Sequence, residues 1–356
     1  MYKDERYFRT VKRDWAEASR LKNLSKDFMR EFRKKLKWSD ICWHQKLDEK
    51  FIDEMSNFVD WNAISKHQKL SEKFIEKHAD KVIWKVLTNT SRFSQEFLEK
   101  YWDRFDPKSI WVNQKLSMDI IWKAAETGNI PWRDASVYQK LDEDFIEKYA
   151  KELNWSNISS YQVLSEKFID EHADKLFWYG VCEKSPMSEK FIEDHIKYIN
   201  WDAVSAHQHL SEEFIEKHFD KVKWNAISYY QTHISEEFVI KWRRRLEWRY
   251  ICQNHPLTED FIENKMDKCD RHWIIICQRQ KLSEDFIRRY KDEVLWNYIC
   301  LCQDLSEKFI EEMKDYIDWN TLFFNSKIKL SREFLENNKD YIINAKTNYQ
   351  HRFPEI

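Results

Sequence analysis

Apolar residues along this chain fall in two alternating clusters, and the pair returns about every 23 residues. In "DWNAISKHQKLSEKFIEKHADKVIW" (60–84) the first cluster holds Trp61 and Ile64, with Gln68 on the same side. The second holds Leu70, Phe74, Ile75, His78 and Val82. Steps of three and four place each cluster on one face of a helix. Ser71 precedes the second cluster as an N-cap, whose hydroxyl can accept from a free first-turn amide. Leu70 and Ile75 flank the cap at the spacing of a hydrophobic staple. Glu72 and its counterparts Glu166 and Glu212 bring negative charge to the positive end of the helix dipole. The pattern predicts a short helix opening at Trp, then a capped helix of about ten residues.

With Trp as origin, the slots are Trp15, Trp38, Trp61, Trp84, Pro107, Trp132, Trp155, Trp178, Trp201, Trp224, Trp248, Trp273, Trp296 and Trp319, with short insertions near 128, 233, 268 and 328. Each of the fourteen units has Ser, Asp or Thr ten or so residues on, and thirteen have Phe three past that cap. Helices this short are marginal alone, because nucleation is costly. One Trp, one Phe and a few aliphatic side chains become a continuous core only when units stack. With 2 Gly and 5 Pro in 356 residues, hairpin turns lack their usual residues. The expected fold is an all-α α-solenoid of about 14 repeats over 15–343, with a basic segment at 1–14, a divergent repeat or kink at 107–131, and a degenerate repeat or tail at 344–356.

The phrases "LSEKFIEKHADKV-W" and "W--IS--Q-LSE-FIE" resemble short helical repeats found in uncharacterised proteins of bacteriophages and giant DNA viruses, over residues 15 to 343. The resemblance implies a virus-encoded protein that sequesters or inhibits a host component such as a defence factor. It supplies no catalytic residue.

Several polar slots recur. Gln lies seven after the origin in nine repeats, as at Gln45, Gln68, Gln139, Gln162, Gln208 and Gln231. Identity at every step favours an amide ladder between stacked units over a set of base-reading side chains, which would vary. Asp lies nine past the cap, as at Asp80, Asp174 and Asp220, and is expected to accept from the next segment's amides or from a Trp indole. His alternates with Tyr beside Gln and again seven past the cap, which suggests half-buried rings. "HQH" at 207–209 offers two imidazoles and no third ligand, so no zinc or other cofactor is expected. Five of seven Cys (Cys42, Cys182, Cys252, Cys277, Cys300) sit where other repeats have Ser, so they read as small buried side chains.

The breaks in the pattern are where a partner would be sensed. Repeat five has Pro107 for Trp and Ile120 for Phe, and adds Trp111 and Trp122. Residues 1–37 carry 13 Lys or Arg against 6 Asp or Glu, and 241–291 carry 13 against 8, in a chain of net charge −2. Candidate partner-binding residues are therefore Arg33, Lys34, Lys35, Trp111, Trp122, Trp242, Arg243, Arg244, Arg245, Arg249, Arg288 and Arg289. A near-neutral total favours a protein partner over nucleic acid, with the basic segments 1–37 and 241–291 carrying the nucleic-acid alternative. With Gly only at 128 and 180 neither a P-loop nor a dinucleotide turn can be written, and no metalloprotease or nucleophile-elbow motif occurs. A non-catalytic scaffold is expected. No apolar run is long enough to span a membrane and no signal core opens the chain, so a cytoplasmic location is expected, the host cytoplasm for a viral protein.

Overall fold

A computed structural model describes residues 5–10, 14–268 and 271–344, so half of the 1–14 segment, Cys269 and the tail beyond 344 lie outside it. The described residues form helices and turns without a strand. Each repeat contributes two helices, as in Trp61–His67 with Glu72–Lys77 and Trp201–His207 with Glu212–Lys217. We call these the Trp helix and the Phe helix. Ser71 Oγ accepts from Phe74 N at 3.3 Å, and Asp48 does the same for Phe51 at 2.9 Å. Several Trp helices are also capped by the residue before Trp: Asp60 accepts from Asn62 N and Ala63 N, and Asn154 from Ser156 N and Asn157 N.

The Phe helix is six residues long, not ten. It stops at His78, whose N–H still bonds Phe74 O (3.1 Å), and the chain then turns with Lys81 N and Val82 N both on His78 O (2.9 and 3.1 Å). The Phe74, His78, Val82 series runs on through that turn, so apolar periodicity overstates the helix. Phe74 and Ile75 are buried with Ile64 of the Trp helix. Trp61 closes the unit over Phe74 (6.3 Å between centroids) and His78 (4.9 Å), with the Lys81 ammonium 5.7 Å from its ring.

The chain forms two compact units, residues 1–162 with 172–176, and residues 163–171 with 177–356. Each is a row of Trp helices in which every member packs on the next in sequence, which is α-solenoid architecture. The divergent fifth repeat lies inside the first unit, its Ser109–Asn113 helix packed on both Trp84–Thr90 and Trp132–Tyr138. Its second helix, Met118–Glu126, is longer and ends where Gly128 takes φ +72°, with Asn129 N on Ala124 O (2.9 Å) and Gly128 N on Ala125 O (3.1 Å). That is a Schellman cap, for which glycine is the ordinary choice. In the second unit, Phe261–Lys265 is wound as a π-helix, Met266 N reaching Phe261 O at 3.1 Å. The wider turn takes up part of the longer spacing between Trp248 and Trp273.

Candidate functional site

The recurring polar residues are spent between neighbouring repeats. Gln68 is buried, its Nε2 donating to Cys42 O (2.8 Å) and Gln45 O (2.9 Å) while its Oε1 accepts from Leu47 N (2.9 Å). Gln162 bonds Ser136 O, Gln139 O and Leu141 N, and Gln208 bonds Cys182 O, Ser185 O and Met187 N. Gln45, Gln139 and Gln231 repeat the arrangement. One amide thus satisfies the helix-end carbonyls and a loop N–H of the unit before it, groups that would otherwise be buried without partners. Where Gln is absent, Ser185, His255 and Asn325 take over part of the role.

The Asp slot is not part of this ladder. Asp80, Asp174 and Asp220 are exposed. The indole N–H goes to a backbone carbonyl five residues back: Trp61 to Ser56 O (3.1 Å), Trp84 to Ala79 O (2.8 Å), Trp224 to Phe219 O (2.9 Å). The indole is thus satisfied by the turn's own carbonyl and does not use the carboxylate.

Two further links have no counterpart in the sequence reading. Where Glu follows the cap it reaches the next repeat's cap, as Glu72 accepts from Ser94 N (2.6 Å) and Ser94 Oγ (2.9 Å), and Glu189 accepts from Ser211 N (2.5 Å). The acid five past the cap meets the next repeat's Lys and ring. Asp53 takes Lys77 Nζ (2.6 Å) and His78 Nε2 (3.0 Å), and Glu193 takes Lys217 (2.7 Å) and His218 (3.3 Å). Their lysine and histidine hydrogen bonds hold both carboxyls below the usual range. The signal was available as residue pairs 22 to 25 apart in sequence, which a single-helix reading does not join.

The six described cysteines are free, and Cys42, Cys182, Cys252, Cys277 and Cys300 are buried. Burial pushes the Cys42 and Cys300 thiols up to about 12 and those of Cys182 and Cys277 to about 11, which makes them poor nucleophiles. "HQH" does not converge on one point: His209 stacks on His233 (3.9 Å), and His207 lies 6.0 Å from Tyr230.

The candidate partner residues separate into four groups. Trp111 is 1% exposed and cannot meet a partner, because it fills the small-residue slot of a repeat whose origin is Pro107. Trp122 packs edge-on to Phe145 (5.0 Å) under the Lys148 ammonium (4.6 Å), a cation–π contact where other repeats have an acid–Lys pair. Trp242 takes the His/Tyr slot, 4.9 Å from Trp224 with Nε1 on Glu216 (3.1 Å), so it is scaffold and no free stacking platform. Arg288 is held by Glu312 and Asp285, Arg289 by Glu263, and Arg243 by Asp267. Arg33 and Lys35 lie over Phe58 and Trp15, and Arg245 over Phe219. Lys34, Arg244 and Arg249 are exposed.

The repeat leaves a different surface open. Trp helices bury their fourth and fifth residues and turn the sixth and seventh outward. In the first unit that face carries Trp43 (54% exposed), Tyr138 (55%) and Tyr161 (53%). In the second it carries Tyr229, Tyr230 and Leu301, with Tyr229 5.1 Å from Tyr250. No helix among the described residues is long and apolar enough to cross a membrane, and no group of three His, Cys, Asp or Glu is placed to hold a metal. No family model, curated protein or solved structure matches the chain.

Proposed function

We propose that the chain is a non-catalytic binding scaffold whose outward Trp-helix faces take up a protein partner. One observation carries this reading: scaffold polar groups are tied up between repeats, while large rings such as Trp43, Tyr138, Tyr161 and Tyr230 stay about half exposed on the outward faces of the Trp helices. Rings on a preformed surface supply contact area at little entropic cost, and aromatic residues are enriched at protein interfaces. The mechanism is occupation, in which a bound partner is sequestered from its other contacts. Extension to a virus-encoded protein that inhibits a host component, in the host cytoplasm, rests on the repeat phrases alone.

Nucleic acid is the competing partner, and its support is weakened because Arg243, Arg288 and Arg289 are already paired with carboxylates, while Lys34, Arg244 and Arg249 are exposed and Arg33, Lys35 and Arg245 keep their charge over rings. The test is affinity capture from host lysate, with and without nuclease, by the full chain and by a Tyr229→Ser, Tyr230→Ser variant. The reading holds when a stoichiometric protein survives nuclease and is lost with the variant at unchanged melting temperature. Retention of nucleic acid alone, with steep loss in salt, would sink it.

A further inference from the structure

Every repeat around the fifth has a ring triad: Trp84 with Phe97 and Tyr101 before it, Trp132 with Phe145 and Tyr149 after it. In repeat five all three slots are small, holding Pro107, Ile120 and Ala124. Two of the vacated slots, Ile120 and Ala124, line a cavity of about 440 Å³ together with Trp102, Thr127 and Asn129. Glu99, Asp103 and Asp119 line it, and Lys123 is the one cation that does so.

Glu99 stands where Asp53, Glu193 and Glu216 receive an N–H from the next repeat's ring, at 3.0, 3.3 and 3.1 Å. Ala124 offers no such donor. Lys100 and Lys217 pair with their acids at 2.8 and 2.7 Å, but among the described residues Lys123 makes no ion pair with Glu99. The cavity lining therefore joins apolar side chains, an indole and an acid that has no cross-repeat donor from its ring slot.

The chain shows twice, at exposed acid slots, how it holds a guanidinium between a ring and carboxylates. Arg30 lies 5.3 Å over Phe51 with its guanidinium on Glu54 and Asp27, and Arg288 lies 5.4 Å over Phe309 on Glu312 and Asp285. A ring and two carboxylates around one guanidinium is the arrangement this repeat builds internally. A planar guanidinium can stack and still donate to more than one carboxylate, which an ammonium does less well.

We propose that the repeat-five cavity receives an arginine side chain of the protein partner, its methylenes on Ile120 and Ala124 and its guanidinium between Trp102 and the carboxylates of Glu99, Asp103 and Asp119. This rests on the protein-binding reading and names one anchor of the partner. The lost ring triad and the lost donor then have a single cause, since the partner supplies what the repeat omits.

The test is calorimetric titration of the full chain with a capped pentapeptide bearing one central arginine, and with its citrulline counterpart, which keeps the shape and removes the charge. Saturable one-to-one binding that weakens at least tenfold with citrulline is expected. Ala124→His restores the missing ring, gives Glu99 its donor, and should abolish binding. Glu99→Gln, at an exposed position that leaves folding alone, should weaken it at least fivefold. No saturable binding, equal binding of the citrulline peptide, or undiminished binding to Glu99→Gln would each overturn the proposal. Any of these results with Tyr229- and Tyr230-dependent partner capture intact removes the cavity and leaves the scaffold; loss of that capture as well removes both.

Discussion

A single glutamine in this chain does the work usually shared by several capping groups. Replacing Gln68 by Leu keeps the volume but leaves Cys42 O, Gln45 O and Leu47 N unpaired in a buried place. Each unmade bond costs about 1–3 kcal/mol, so denaturant unfolding should show a loss of roughly 3 to 5 kcal/mol, with water reaching part of the gap. A loss below about 1 kcal/mol would mean that the ladder is redundant. His255 is the natural departure from it, donating to Ser228 O at 2.9 Å and leaving buried Nδ1 without a partner. Burial pushes its pKa below the ordinary 6.5; Ser228 O opposes the fall and His233 adds to it. The folded state thus resists a proton that the unfolded chain accepts. Stability from this residue is full above pH 6.5 and lost as pH falls from there toward the folded pKa. His255→Gln should flatten the melting temperature across that window while other residues' acid dependence remains; an unchanged profile would place the transition elsewhere.

At the scale of one helix, capping explains why so much of the repeat was legible. Ser71, Leu70 and Ile75 act within one turn, so cap and staple can be read from adjacent letters. Helix length could not be read the same way, because Phe74, His78 and Val82 keep a helical spacing through a turn that is no longer helix. The role of Glu72 was half legible. Its place near the dipole is local, but its bonds to Ser94 span 22 residues. Trp111 was misjudged because a large ring in a small-residue slot looks the same in sequence whether it is buried or displayed. Glu72→Ala should cost about 1–2 kcal/mol by leaving the Ser94 cap unheld. Glu72→Gln should cost less, since Gln95 already accepts from Ser117 N at 2.6 Å in the next repeat. Equal losses for the two variants would show that charge, and no hydrogen bond, is what the cap needs. Phe214, 3% exposed and 6.2 Å from Trp201, carries the core side of its helix. Phe214→Ala should cost about 3–5 kcal/mol by thermal or denaturant unfolding, and unchanged melting would contradict its place in the core.

For the whole molecule, the decisive property is the reach of its bonds. Among the described residues, the side-chain hydrogen bonds between repeats span about one repeat, from Lys37 N on Ser19 Oγ, 18 apart, to Gln139 on Trp111 O, 28 apart. A chain held only by nearest-neighbour links has a stability close to a sum over repeats and interfaces, and it closes only short loops as it folds. Removing repeats from one end should therefore cost the interface at the cut and leave the rest standing. A fragment of residues 1–106, ending before Pro107, gives up the bonds that Gln114 makes to Thr88 O, Ser91 O and Phe93 N (2.8, 2.8 and 3.3 Å), those of Gln95 to Lys115 O and Ser117 N, and that of Asn113 to Asn89, and keeps the bonds between the repeats further back. By circular dichroism it should show helix content per residue close to that of the full chain and a cooperative melt at lower temperature. An unfolded fragment would mean that repeats before Pro107 depend on contacts beyond their neighbours, and the additive account of this fold would fail with it.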